Sequence, residues 1–155
     1  MTEYKWTDGN NSDFLHFYEI TEEYYSKAAG GLKKREGYVQ YNLSSAIPDV
    51  LIAYEDGKAV GCAGLKKYSE EDIEIKRVWV EPDFRGKGIA FSMMQYLEKK
   101  ALQKGFQRMI LQTRPVMEDA ISLYRKLGYS FIDNYPPYDR LEGAVCMAKS
   151  LVTGG

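Results

Sequence analysis

The spacing of apolar side chains changes several times along the chain, and each change predicts an element. Ile73, Ile75, Val78 and Val80 supply β-branched residues to a strand, and Pro82 ends it because proline lacks the donor a ladder needs. From Ile89 the period turns helical. Ile89, Met93, Leu97 and Ala101 fall on one face, with Ala90 and Met94 beside it, until Gly105. Upstream, Thr2–Thr7 reads as a first strand. Phe14, Leu15, Tyr18, Tyr25 and Ala28 then recur at helical spacing behind a cap at Asn11 or Ser12, and Gly30-Gly31 stops that helix. A second, weaker helix is expected over Arg35–Ser44, with Pro48 at its exit.

Val50–Tyr54 and Ala59–Leu65 flank Asp56-Gly57, a two-residue hairpin signal. Gly61 and Gly64 leave the return strand little cover, which implies close packing by a neighbour. The polar turn Ser69–Asp72 leads into the strand at residues 73–80. Beyond Gly105, Met109-Ile110-Leu111 forms a continuous apolar run in the strand Arg108–Thr113, suited to a sheet buried on both faces. Met117–Leu127 is a helix with Ala120, Ile121, Tyr124 and Leu127 on one stripe, stopped by Gly128. Tyr129–Ile132 and Ala144–Ala148 follow as strands, separated by a rigid loop at Asn134–Tyr138. The pattern predicts one α+β domain over residues 1–155, with a mobile tail at about 151–155.

Composition narrows the class. Apolar residues are 45% and charged ones 28%, which is globular rather than disordered. A net charge of −1 offers no field for nucleic acid or an anionic membrane, so neither is expected as a partner. No apolar run approaches the ~20 residues that span a bilayer. The stretch MTEYKWTDGN is polar and has no signal-peptide core, so a cytoplasmic location is expected. Cys62 and Cys146 sit in apolar strands and read as buried, reduced thiols. With one histidine, His16, and no close cysteine pair, no metal site is expected.

The candidate chemistry lies where the strand at 73–80 meets the helix at 89. Between them runs Arg85-Gly86-Lys87-Gly88-Ile89-Ala90. Two glycines let backbone amides approach a ligand closely, and the helix that follows points its free N–H groups and positive dipole end into the turn. That geometry suits phosphate. The spacing is not that of a P-loop, because the lysine stands between the glycines. Nor is it a dinucleotide fingerprint, because Phe91 occupies the third glycine position.

Arg-x-x-Gly-x-Ala preceded by Val-x-Pro resembles the pyrophosphate-binding motif of the GNAT superfamily of acyl-CoA N-acyltransferases. Glu74-Ile75-Lys76-Arg77 before Val80-x-Pro82-x-x-Arg85-Gly86 is similar to that family's fourth-strand signature. Ala120-Ile121-x-Leu123-Tyr124-x-x-Leu127-Gly128-Tyr129 is similar to its last-helix signature. Pro137-Tyr138 before Val145-Cys146-Met147 resembles the end of one branch that acetylates small molecules. The element order matches over nearly the full chain. The resemblance therefore implies a GNAT-like α/β three-layer fold, a mixed, mostly antiparallel sheet of about six to seven strands flanked by about four helices.

The resemblance also implies an activity, acetyl transfer from acetyl-CoA to a primary amine of a small or amino-acid-like molecule, without a metal. In such enzymes the diphosphate lies on the turn, here the amides of Arg85, Gly86, Lys87, Gly88, Ile89 and Ala90, with Arg85 and Lys87 adding charge. The pantetheine arm pairs with Val78, Trp79 and Val80 like an added strand. Tyr124 stands where the family's tyrosine protonates the departing sulfur, and an ordinary tyrosine pKa of ~10 suits an acid. The same side chain also reads as a core aromatic on its stripe. Glu74 is the candidate base. Counted by a period of two, it shares a sheet face with Val80, and it reads equally as a surface glutamate paired with Lys76 or Arg77. Many members carry an asparagine where this chain has Met117, which removes a cofactor contact. Tyr38, Tyr41, Arg114 and Tyr138 are candidates for the acceptor site; Arg114 meets a substrate carboxylate or lies on the surface. Homodimers are common in the family. A protein lysine or N-terminus as acceptor, and a non-catalytic acyl-CoA sensor, remain the alternatives.

Overall fold

The computed structural model describes residues 1–28 and 47–151. The expected helix at Arg35–Ser44 and the stop at Gly30-Gly31 lie outside the described residues, as do Tyr38, Tyr41 and positions 152–155 of the tail. The elements are β1 (Thr2–Thr7), α1 (Ser12–Ala28), β2 (Asp49–Glu55), β3 (Lys58–Lys67), β4 (Asp72–Val80), α2 (Ile89–Gln103), β5 (Arg108–Thr113), α3 (Glu118–Lys126), β6 (Ser130–Ile132) and β7 (Val145–Ser150). The strands pair in the order β1-β2-β3-β4-β5-β7-β6. β4 and β5 run parallel, as the intervening helix α2 requires, while β1–β2, β2–β3, β5–β7 and β6–β7 are antiparallel. The expected mixed, mostly antiparallel sheet is therefore present. The chain divides into two compact units, Met1–Lys66 with Lys76–Leu97, and Lys67–Ile75 with Glu98–Gly155.

In the first unit the hairpin forms at Asp56-Gly57. Their φ values of 49° and 83° are the paired left-handed angles of the turn that matches strand twist. Asn11 caps α1: its Oδ1 accepts the amides of Asp13 at 2.9 Å and Phe14 at 3.2 Å. Over residues 12–23 the buried positions of α1 are Phe14, Phe17 and Thr21; of the expected stripe Phe14 is buried, Tyr18 half-buried and Leu15 40% exposed, and the side chains of Tyr25 and Ala28 lie outside those described. The spacing i, i+3, i+7 was present in the chain, but threonine at the third position concealed it. Phe14 and Phe17 pack with Ile47, Val50, Ile52, Cys62 and Trp79 into one core.

A second departure lies within β4. Arg77 adopts φ 55°, a left-handed angle inside a strand. Such a residue interrupts the alternation of faces, as a bulge does. Glu74 and Val80 therefore cannot be placed on one face by counting in twos, because the count passes through the irregularity. The buried Arg77 side chain pairs with Glu22, donates to Thr21 Oγ1 at 3.2 Å and lies 4.3 Å from the Tyr18 ring. Interactions away from the strand hold the distorted residue in place.

In the second unit Asp72 and Arg108, directly opposite each other at the start of the β4–β5 ladder, form a two-pronged ion pair at 3.0 and 2.8 Å. Helix α3 ends in a Schellman motif. Gly128, at φ 99°, donates to the Arg125 carbonyl at 3.1 Å, and Tyr129 donates to that of Tyr124 at 2.9 Å. Tyr129 thus completes the cap, and β6 begins one residue later than the apolar pattern indicated. Among the described residues no helix is long and apolar enough to cross a membrane.

Candidate active site

The glycine turn begins with Pro82–Phe84, a single 3-10 turn closed by Phe84 N–H to the Glu81 carbonyl at 2.9 Å. Arg85, Gly86, Lys87 and Gly88 are exposed. Gly86 and Gly88 hold φ of 78° and 82°, and open space surrounds the positions their Cβ atoms would take. The glycines answer to backbone angle rather than crowding. Ser92 donates to the Gly88 carbonyl at 3.0 Å, so α2 starts directly after the turn. The amides of its first turn lack intrahelical acceptors, and the positive end of its dipole lies at the turn.

The two expected cations, Arg85 and Lys87, are both exposed. Arg85 folds back on its own strand. Its Nε donates to the Val80 carbonyl at 2.8 Å, and its guanidinium stands 4.6 Å from the Trp79 ring. Its charge is tethered at the end of β4. Lys87 Nζ lies 5.2 Å from the Phe84 ring centroid and Lys58 Nζ 5.9 Å from it. Lys58 sits in the hairpin, about thirty residues earlier in the chain, and only the fold groups it with Lys87.

Next to this turn, β4 is tightly packed on β3. A Cβ on Gly61 would stand 2.9 Å from the Trp79 carbonyl oxygen, and one on Gly64 2.7 Å from Ile47. That is the close approach expected from these glycines. Glu81 donates to the Val60 carbonyl at 2.8 Å. Pairing of β4 with β5 covers Asp72–Glu74 against Arg108–Ile110 and does not include Val78–Val80.

In the second unit Glu74 is 5% exposed and accepts a hydrogen bond from the Tyr135 hydroxyl at 2.6 Å. A surface glutamate it is not. Tyr135 is met edge-on by Tyr68 at 4.9 Å and Tyr138 at 5.5 Å. The Tyr68 hydroxyl donates to the Pro136 carbonyl at 2.5 Å. Burial, and then the Glu74 charge, push the Tyr135 phenol far above the ordinary tyrosine value, so it stays a donor. Burial also lifts the Cys146 thiol to about 11; the Tyr135 amide pulls it down and Glu74 pushes it up. Cys146 and Cys62 are both free and buried.

The remaining expected residues fall as follows. Tyr124 lies in the last turn of α3, 7% exposed, with its ring 5.8 Å from that of Tyr129. Tyr138, expected at the acceptor site, is 1% exposed and stands behind Tyr135. Arg114 is half-buried, its guanidinium lying against Gly143, where a Cβ would stand 2.9 Å from it. A surface cleft of about 380 Å³, lined by Pro115, Ile121, Arg125, Phe131 and Val145, contains none of them. Tyr135 lies in the loop expected to be rigid, but neither it nor Tyr68 belongs to a spacing motif, so neither was singled out as a site residue. Among the described residues no group of three or more His, Cys, Asp or Glu side chains could hold a metal.

The glycine turn between β4 and α2, and Tyr124 in the last turn of α3, are each present where the sequence motifs placed them. The acetyltransferase (GNAT) family matches residues 14–129, and the chain belongs to it. An IAA acetyltransferase of Azospirillum brasilense is 32% identical over 109 residues, 68% of this chain and 71% of that one. The uncharacterized N-acetyltransferase YjgM of Escherichia coli is 36% identical over 86 residues, 54% of this chain, and the match spans about half of that relative, 51%. The crystal structure of a Klebsiella pneumoniae acyl-CoA N-acyltransferase superposes with a TM-score of 0.81 at 25% identity, covering 98% of this chain and 99% of that one.

Proposed function

We propose that the protein is an acetyl-CoA-dependent N-acetyltransferase acting on the primary amine of a small or amino-acid-like molecule. The exposed turn Arg85–Gly88, with two left-handed glycines at the start of α2, carries this reading. A diphosphate accepts hydrogen bonds from the amides of Arg85 through Ala90, and Lys87 adds charge. The pantetheine amides pair with Val78–Val80, a stretch outside the β4–β5 ladder. The acetyl group is delivered at the end of that strand.

The transfer is a direct attack. The neutral amine adds its lone pair to the thioester carbonyl carbon, and a backbone N–H near Val80 stabilises the oxyanion. Glu74 takes the proton that the nitrogen loses. Collapse of the intermediate breaks the carbon–sulfur bond, and Tyr124 gives its proton to the departing thiolate. The products are the acetamide and free coenzyme A. These steps call for no metal. The role of Tyr124 rests on its motif, and that of Glu74 on a buried carboxylate in a strand that also carries the cofactor. Arg114 is assigned to the acceptor side, against a substrate carboxylate. Tyr138 supports that side from behind Tyr135. We place the protein in the cytoplasm, as a monomer or homodimer, with neither nucleic acid nor membrane as partner.

The test has two stages. Acetyl-CoA should raise the unfolding temperature where ATP and NAD do not, since a ligand that binds only the native state stabilises it. A panel of primary amines read by free-thiol release should then show turnover. No stabilisation by acetyl-CoA sinks the cofactor assignment. Stabilisation without turnover on small amines, lysine peptides or peptide N-termini makes the protein a sensor.

A further inference from the structure

We propose that Tyr135 is a positioning residue for Glu74: its hydroxyl fixes the carboxylate in the orientation from which it takes the proton of the acceptor amine. This rests on the reading of Glu74 as the base. A carboxylate at 5% exposure needs donors to offset lost hydration, and the Tyr135 hydroxyl at 2.6 Å supplies a short, charge-assisted one. A positioning group is useful only when it is itself held. Tyr135 is. Tyr68 and Tyr138 meet its ring edge-on at 4.9 and 5.5 Å. The next peptide is pinned by the Tyr68 hydroxyl on the Pro136 carbonyl at 2.5 Å. Asn134 on the other side donates to the Ala144 carbonyl at 2.8 Å. The loop between β6 and β7 is thus tied at three consecutive residues, and the middle one reaches Glu74. Burial and the neighbouring charge keep that phenol protonated, so its hydroxyl remains a donor throughout the working pH range.

The structural half is tested on the protein alone. The side-chain carboxyl 13C resonance of Glu74, assigned by its loss in Glu74→Gln, should move in Tyr135→Phe, while the unfolding temperature changes little because the ring stays. An unmoved resonance overturns the proposal whatever the activity.

The functional half uses the best amine from the panel. Glu74→Gln should lower kcat about a hundredfold or more. Tyr135→Phe should lower it on the order of tenfold, the effect of one hydrogen bond to a charged group, with KM for acetyl-CoA unchanged. In the Glu74→Gln background, Tyr135→Phe should cost nothing further, because a positioning residue acts only through what it positions. Additive losses overturn the positioning role while leaving the enzyme reading intact. A fully active Glu74→Gln overturns the base reading and this proposal with it. Absence of turnover in the wild type does the same.

Discussion

Gly61 faces the carbonyl oxygen of Trp79 so closely that a Cβ there would stand 2.9 Å from it, with the Met93 methyl at 3.3 Å. The carbonyl belongs to the backbone of β4 and cannot swing aside like a side chain. Gly61→Ala should therefore cost about 1–3 kcal/mol, the range for overpacking a filled interior. Because the displaced segment is the one assigned to pantetheine, the variant should also bind acetyl-CoA more weakly. Urea unfolding and a titration with acetyl-CoA check both. A variant as stable as the parent would mean that β3 and β4 stand further apart than described.

Gly88 provides the opposite case. No atom lies within 4 Å of its missing Cβ, yet its φ is 82°. Gly88→Ala should cost only about 1 kcal/mol, the strain of a left-handed angle on a residue with a side chain. Its effect on ligand binding should be larger in proportion. The backbone relieves strain by rotating the amides that would face the diphosphate, so affinity for acetyl-CoA should fall roughly tenfold or more, the loss of one charge-assisted hydrogen bond. Isothermal titration reads it directly. Unchanged affinity would remove the turn from the cofactor site.

Met117 stands at the N-cap of α3 and makes no side-chain cap, although Glu118 and Asp119 already favour the dipole in the first turn. Met117→Asn should raise stability by about 1 kcal/mol, since an asparagine oxygen can accept a first-turn amide and the methionine side chain makes no such cap. The midpoint of urea unfolding should rise with its slope unchanged. No gain would show that those amides are already satisfied.

What the chain displayed and what it concealed divide along physical lines. The hairpin, the buried face of α2 and the glycine turn were legible because each depends on local rules: paired left-handed angles at Asp56-Gly57, a period of 3.6, and glycine before a helix. Arg77 was not legible. Nothing in Lys76-Arg77-Val78 signals a left-handed angle within a strand; the distortion is held by Glu22, Thr21 and Tyr18, far off in sequence. The face of Glu74 relative to Val80 could not be counted in twos for that reason. The contact of Arg85 with the Trp79 ring was not legible either, because its motif carries no sign of that neighbour. Tyr135 depends on a loop closed by long-range contacts, and no spacing rule reaches that far.

Cys146 supplies a pH signature for the second unit. Its thiol is lifted from 9.0 to about 11, first by burial, against the Tyr135 amide that lowers it and with the Glu74 charge that raises it. Between those values the unfolded chain has lost the proton while the folded protein keeps it. The folded state then binds more protons, so stability falls as pH rises. The contribution is fully present below pH 9 and disappears as pH passes about 11. Tyr54, raised to about 12 first by burial and then by its hydrogen bond to Asp13, adds a fall of the same sign above its ordinary value of 10. It does so in parent and variant alike. Urea unfolding of the parent and of Cys146→Ala at intervals from pH 8 to 11 separates the two, because only the thiol is removed. The parent's stability should decline more steeply than the variant's across that window. Parallel declines would show that the thiol ionises as freely in the folded chain as in the unfolded one, and that the pocket it shares with Tyr135 and Glu74 admits water.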